Sequence, residues 1–194
     1  MEPYGGIVLA AGSSRRFGKD KRNLQLSTGR TMLEETIHTA CAHLPNLMVV
    51  VRHNDLLYAD QLAEKVGNPS VRFFCAPDSA LGMAHSLANA IQQVGDWQAV
   101  LIILGDLPFI RPDTYRVLVE RYRQSADDQP ILVPCCGGRS GHPVLFDRVY
   151  FQEIGQLRGD VGARSIIEAH CTRVLKVEVG DSGILQDIDS PDDL

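Results

Sequence analysis

Two features of this chain could do phosphate chemistry. The first is a run of cations: Arg15, Arg16, Lys19, Lys21 and Arg22 lie within a few residues of Gly12 and Gly18. They are five of nineteen Lys and Arg in a chain whose formal net charge is -5. Glycines leave room for a ligand against bare peptide, and exposed N–H groups in such a loop form an anion nest. The second feature is a set of carboxylates. Asp106 directly follows an apolar run in Gly105-Asp106-Leu107-Pro108, and Asp187 and Asp189 flank Ile188 near the end of the sequence. Carboxylates so placed suit Mg²⁺, which takes few protein oxygens and completes its shell with substrate phosphates and water.

The loop is neither of two better-known phosphate loops. A P-loop has four residues between its glycines, then Lys and Ser or Thr. Here five residues separate Gly12 from Gly18, and Asp20 follows Lys19. A dinucleotide fingerprint requires a second glycine where Ser14 stands. What the chain does contain is L-A-A-G-x-S-x-R-x-G-x-x-K, on Leu9, Ala10, Ala11, Gly12, Ser14, Arg16, Gly18 and Lys21.

The elements that position these residues alternate between strand and helix, which predicts βα units and a mostly parallel sheet. Strands are expected at Gly6–Ala10, Leu47–Val51, Val71–Phe74, Ala99–Leu104, Ile131–Pro134, His142–Phe146 and Val174–Val179. Ala99–Leu104 is apolar throughout, so it should be central and covered on both faces. Thr31-Met32-Leu33-Glu34 reads as a capping box that opens a helix carrying Leu33, Ile37, Ala40, Cys41 and Leu44 and closed by Pro45. Further helices are expected at Leu56–Val66, after a loop at Asp78–Ser86 with Leu87, Ala90, Ile91 and Val94 inward, from Pro112 to about Arg123, and near Val149–Ile154 and Gly162–His170. Cys135–Gly141 is expected to be a mobile glycine-rich loop. An Asp-x-Asp pair on extended chain sends its carboxylates to opposite faces, so one of Asp187 and Asp189 should face a metal while Ile188 is buried.

Composition narrows the function classes. With 194 residues, 44% hydrophobic and 22% charged, one domain spanning 1–194 is expected. The acidic balance argues against general nucleic-acid binding, which rests on phosphate neutralisation. No apolar run is long enough to span a bilayer, and Met1-Glu2-Pro3-Tyr4 has no signal-peptide character. The cysteines, five in number, show no C-x-x-C pair. Thiols in a reducing cytoplasm are the expectation.

Five motifs in order resemble the MobA-like nucleotidyltransferases, most closely the molybdenum cofactor cytidylyltransferase branch. Besides the glycine loop, Gly82-Met83-Ala84-His85-Ser86-Leu87 is similar to the family's G-M-G-x-S-L, and Leu104-Gly105-Asp106-Leu107-Pro108 to L-G-D-x-P. Gly141-His142-Pro143-Val144-Leu145-Phe146 is similar to G-H-P-V-L-F, and Asp187-Ile188-Asp189-Ser190-Pro191 to D-I-D-T-P. Gly159-Asp160-Val161-Gly162-Ala163-Arg164 also resembles a family G-D-x-G-A-R. The resemblance implies a three-layer α/β/α sandwich with a Rossmann-like, mostly parallel mixed sheet. It implies transfer of a nucleoside monophosphate, CMP from CTP, to a phosphate-bearing acceptor, molybdopterin with its molybdenum, with Mg²⁺ as cofactor. A molybdoenzyme or delivery chaperone would be the downstream partner.

The implied roles follow. Leu9, Ala10, Ala11, Gly12, Ser13, Ser14, Gly18 and Ser86 contact the nucleotide. Arg16 and Lys21 neutralise its phosphates, and Asp106 and Asp189 hold the metal. Gly141, His142, Pro143 and Asp160 line the acceptor side. Guanylyl transfer to the same pterin, pyrimidine-nucleotide transfer to a sugar or polyol phosphate, and a non-catalytic cofactor-binding chaperone stay open. Ala11 favours CTP over GTP, because guanylyl-transferring relatives resemble L-x-G-G and a β-methyl beside the first strand crowds a purine before a pyrimidine. The chain departs from the family at Arg22-Asn23-Leu24-Gln25-Leu26, where L-L-L-P-L is usual. That places a charge and an amide near the expected triphosphate or acceptor.

Overall fold

The computed structural model describes residues 4–12, 20–125, 128–159 and 162–188. Eight strands form one sheet: β1 (Tyr4–Leu9), β2 (Leu47–Arg52), β3 (Val71–Ala76), β4 (Ala99–Leu104), β5 (Ile131–Cys136), β6 (Arg139–Ser140), β7 (Val144–Asp147) and β8 (Val174–Glu178). In space they run β3-β2-β1-β4-β7-β5, with β8 and the short β6 both pairing β5. The pairs β1–β2, β1–β4, β2–β3 and β5–β8 are parallel, and β7 lies antiparallel between β4 and β5. The expected mixed sheet is therefore present, and its antiparallel members are the short β6 and β7, the strand that follows His142.

Side chains alternate along each central strand, and the two sets enter separate cores. Val8, Val49, Val51, Leu101 and Ile103 pack with α1 (Met32–Cys41), α2 (Leu56–Val66) and α4 (Pro112–Ser125) on one face. Ile7, Leu9, Val50, Val100 and Ile102 pack with α3 (Met83–Ile91), α5 (Phe151–Ile154) and α6 (Arg164–Ala169) on the other. Burial on both faces explains why these strands read as continuous apolar runs rather than alternating ones. Among the described residues no helix is long and apolar enough to cross a membrane.

Local chemistry sets the element ends. The capping box forms in full: Thr31 N–H donates to Glu34 Oε2 at 2.8 Å, and Glu34 N–H donates to Thr31 Oγ1 at 3.3 Å. The helix it opens ends at Cys41, and a further turn, in which Leu44 N–H donates to the Ala40 carbonyl at 3.1 Å, carries the chain to Pro45. Leu44 is nevertheless buried in the expected core. The 135–141 stretch differs from expectation. Cys135 and Cys136 pair with Ser140 and Arg139 around Gly137-Gly138, whose φ values of 57° and 79° are both positive. Paired positive φ is the type I′ geometry that matches strand twist, so this stretch is a tight hairpin.

Gly141, just beyond that hairpin, holds the C-terminal segment against the sheet. A Cβ on Gly141 would lie 2.2 Å from the Ile184 carbonyl oxygen, and the neighbouring His142 N–H donates to that same oxygen at 3.2 Å. Only glycine permits this approach. Gly141→Ala should destabilise the fold by about 1–3 kcal/mol, the usual cost of overpacking, read as a lower urea midpoint at unchanged slope. An unchanged midpoint would show that the segment carrying Ile184 is not tethered here.

Candidate active site

The site forms where the chain order of the sheet reverses. β2 and β3 lie on one side of β1 and β4 on the other, and in such sheets ligands bind beyond the carboxyl ends of the strands at this switch. β1 and β4 run in parallel register with Leu9 opposite Leu104, and Gly105 N–H donates to the Leu9 carbonyl at 3.0 Å. Ala10–Gly12 and Asp106 thus leave the sheet side by side.

Lys21 closes the arrangement from across the loop. It begins a 3-10 turn, Lys21–Asn23, capped by the Asp20 side chain. Its Nζ lies 2.7 Å from Asp106 Oδ2 and donates to the Ile188 carbonyl at 3.1 Å. Ile188 N–H in turn donates to the Asp106 carbonyl at 3.1 Å. Ile188 is fully buried against Leu26 and Met32, as expected for the residue between Asp187 and Asp189. The other carboxylate oxygen, Asp106 Oδ1, is buried with no hydrogen-bond partner among the described residues.

Arg22, counted from sequence with the loop cations, turns away from this point. It is 5% exposed and lies between Asp20 and Asp55, with its guanidinium 4.3 Å from the centre of the Tyr58 ring. Its charge is not offered to a phosphate. Arg52 is also bonded to Asp20. Burial on its own would raise the Asp20 pKa. The hydrogen bonds and charges of Arg22 and Arg52 override it and hold the carboxyl below its ordinary value.

On the α3–α6 side of the same strand ends lies a cavity of about 630 Å³. Leu87, Ile102, Val133, Val144 and Phe146 wall it, while Ser140, His142, Arg164 and Lys176 supply its polar groups. Leu9, Leu104 and Gly141 line it as well. Sequence reasoning had no signal for Lys176, which sits in β8 and is recognisable only once β8 is placed beside β5.

Ala10 is buried and Ala11 half-buried, while Gly12 is exposed and a Cβ on it would meet nothing within 4 Å. Pro143 is buried and does not line the cavity. Ser86 is 1% exposed and its hydroxyl donates to the Gly82 carbonyl at 3.4 Å, so it serves the first turn of α3 and is not displayed to a nucleotide. Ser13, Ser14, Arg15, Arg16, Gly18, Lys19, Asp160 and Asp189 lie outside the described residues.

Residues 6–174 match the MobA-like NTP transferase domain. The chain belongs to that family. It is 27% identical to the purine catabolism protein PucB of Bacillus subtilis over 97% of this chain and 92% of that protein. The crystal structure of Rv0371c from Mycobacterium tuberculosis H37Rv has a TM-score of 0.77 at 25% identity, covering 99% of this chain and 95% of that one. A structure of the same mycobacterial protein in complex with manganese has a TM-score of 0.75 at 23% identity, which shows the shared fold. Bifunctional protein GlmU of Ralstonia pickettii is 33% identical over 58% of this chain, but the match spans only 24% of its own length.

In this MobA-like domain His142 joins the cavity to the carboxylates. Its Nδ1 lies 3.5 Å from the Ile102 carbonyl. Burial lowers its pKa below the ordinary 6.5, against the opposing pull of that carbonyl and of Asp106 and Asp187. The unfolded chain then binds the proton more readily, so stability is complete above the ordinary value and falls as pH drops through the window beneath it. His142→Gln lacks this contribution to the pH dependence. Urea midpoints of the variant and the wild type, compared between about pH 7 and about pH 5, should converge as pH falls. A constant gap would contradict a buried, neutral His142.

Proposed function

We propose that this chain transfers CMP from CTP to a phosphate monoester on a pterin acceptor, molybdopterin with its molybdenum, and releases pyrophosphate. The observation that carries the reading is the Lys21–Asp106 contact at the β1/β4 switch, beside a largely apolar cavity. A lysine ammonium and a strand-end carboxylate are the pair a nucleoside triphosphate needs. The ammonium offsets charge on the phosphates that leave, and the carboxylate gathers a cation. Phosphoryl-type transfer asks a protein mainly for positioning and charge stabilisation. The acceptor phosphate is anionic at neutral pH, since its second pKa is about 6, and needs no base to activate it. The neutral His142 suits that requirement, because it adds no proton donor that would quench the nucleophile.

The donor set fits a hard divalent cation. Asp106 Oδ1 is a buried carboxylate oxygen without a partner, and oxygen ligands suit Mg²⁺. No group of three or more His, Cys, Asp and Glu gathers among the described residues, yet Mg²⁺ is commonly held by one or two carboxylates with phosphates and water completing its shell. Asp106 would hold the ion, with Asp189 as the second ligand in the proposal. Bound there, it would neutralise charge on the reacting phosphates.

The acceptor side favours a flat, partly apolar body over a polyol. Sugar hydroxyls desolvated against Leu87, Val133, Val144 and Phe146 would find few partners, and an unpaired buried hydroxyl costs about 1–3 kcal/mol. Ser140, Lys176 and Arg164 give polar edges to the cavity. The test is a screen of nucleoside triphosphates against phosphorylated pterin, sugar and polyol acceptors, read as pyrophosphate release. Release should be greatest with CTP and the pterin. In Ala11→Gly the preference for CTP over GTP should narrow, within the ~10- to 200-fold that one methyl group in a pocket confers. Release with sugar or polyol phosphates alone would overturn the acceptor. Nucleotide binding without any release would support a cofactor-delivery module instead.

A further inference from the structure

Arg22 carries a dense set of contacts. Its Nη1 donates to the Ala10 carbonyl at 3.2 Å and to Asp55 Oδ2 at 2.6 Å. Nε and Nη2 form a fork on the Asp20 carboxylate at 2.8 and 2.5 Å. Asp20 Oδ2 also accepts from Arg52 Nη2 at 2.7 Å, and the Asp20 carboxylate caps the turn that begins with Lys21. One guanidinium therefore grips both ends of the glycine segment: Ala10, where the chain leaves β1, and Asp20, where it returns. Asp55, the residue before α2, anchors the grip to the rest of the fold. Successive residues of a 3-10 turn point about 120° apart, so holding Arg22 inward turns its neighbour Lys21 to a different side, where it meets Asp106.

We infer that Arg22 is a positioning residue for nucleotidyl transfer, clamping the neck of the glycine segment and thereby fixing the ammonium of Lys21 beside Asp106. The inference rests on the proposed assignment of Lys21 to the triphosphate. It gives a role to a residue that stands where the family usually has leucine. A leucine could pack there but could not bond Ala10 and Asp20 together. The planar fork also matters: an Arg-to-Lys change at a bidentate site keeps the charge and loses the geometry. Misplacing a catalytic group by an ångström can lower rates about a hundredfold.

The experiment is a double-mutant cycle on pyrophosphate release from CTP, with nucleotide affinity measured in parallel. Arg22→Lys should lower kcat/KM by roughly 10- to 100-fold, mostly in kcat, in a protein that still melts cooperatively. Combined with Lys21→Met, it should add far less than its own single loss, because the group it positions is already gone. Asp55→Asn, which loosens the anchor but leaves the Asp20 fork, should show a smaller loss with the same dependence on Lys21. It decides the question if Arg22→Lys does not fold. Losses that multiply in the double variants would overturn the inference and leave Arg22 a purely structural residue. So would wild-type kinetics in both Arg22→Lys and Asp55→Asn. Lys21→Met with unchanged turnover and affinity would overturn the inference together with the site assignment beneath it.

Discussion

The contact between Lys21 and Asp106 is the interaction on which the site depends. It joins residues 85 positions apart, so it exists only because the sheet brings two separate strand ends together. Parallel pairing of β1 with β4 puts Asp106 next to the chain leaving Leu9. The C-terminal segment adds its own constraint, since Ile188 accepts from Lys21 and donates to the backbone of Asp106. Three distant stretches of sequence thus converge on one ammonium and one carboxylate. Gly141 supports the third from below, because its missing side chain lets Ile184 approach and carries the segment toward Ile188.

Lys21 and Arg22 are adjacent in sequence but meet different chemistry. Arg22 and Arg52 face Asp20 and Asp55, two cations against two anions, in a cluster that is locally neutral. Such a cluster is weak grounds for stability, because desolvation of each charge offsets much of the attraction. Its contribution is directional: the guanidinium bonds specific atoms of Ala10, Asp20 and Asp55 and so fixes where the glycine segment begins and ends. The Lys21 and Asp106 side chains are 17% and 24% exposed, against 6% for Arg22, so a ligand can reach the Lys21 ammonium. Charge in a sequence motif is therefore not the same as charge available to a substrate.

Much of the fold was legible because its central strands are buried on both faces and α1 begins with a recognisable capping box. Ala99–Leu104 and the Thr31–Glu34 box are cases where local chemistry and tertiary position agree. From sequence alone the hairpin at Gly137-Gly138 reads as a mobile glycine-rich loop, since two glycines signal a turn only when the flanking residues are seen to pair. At the site, Asp106 stands out by its place after an apolar run and Lys21 by its place in the glycine-and-cation loop. Arg22 reads as one of the phosphate cations because its partners, Asp55 and the Ala10 carbonyl, are brought to it only by tertiary structure. Ser86 looked like an anion contact for the same reason: a serine near a helix start reads alike whether its hydroxyl faces a ligand or its own first turn. The cavity wall, drawn from β4, β5, β7 and α3 together, has no local signature in any one of them.

The proposed function requires a nucleoside triphosphate and a divalent ion to meet at Lys21 and Asp106. The affinity of Asp106→Asn for CTP, measured with and without Mn²⁺, tests it most directly. Without metal, removing a carboxylate from beside a triphosphate should tighten binding relative to the wild type, because a like charge is gone. With Mn²⁺ the same substitution should weaken binding, because an oxygen ligand of the ion is lost. A change of sign between the two conditions is the predicted result. A shift in the same direction in both conditions, or no shift in either, would contradict the account.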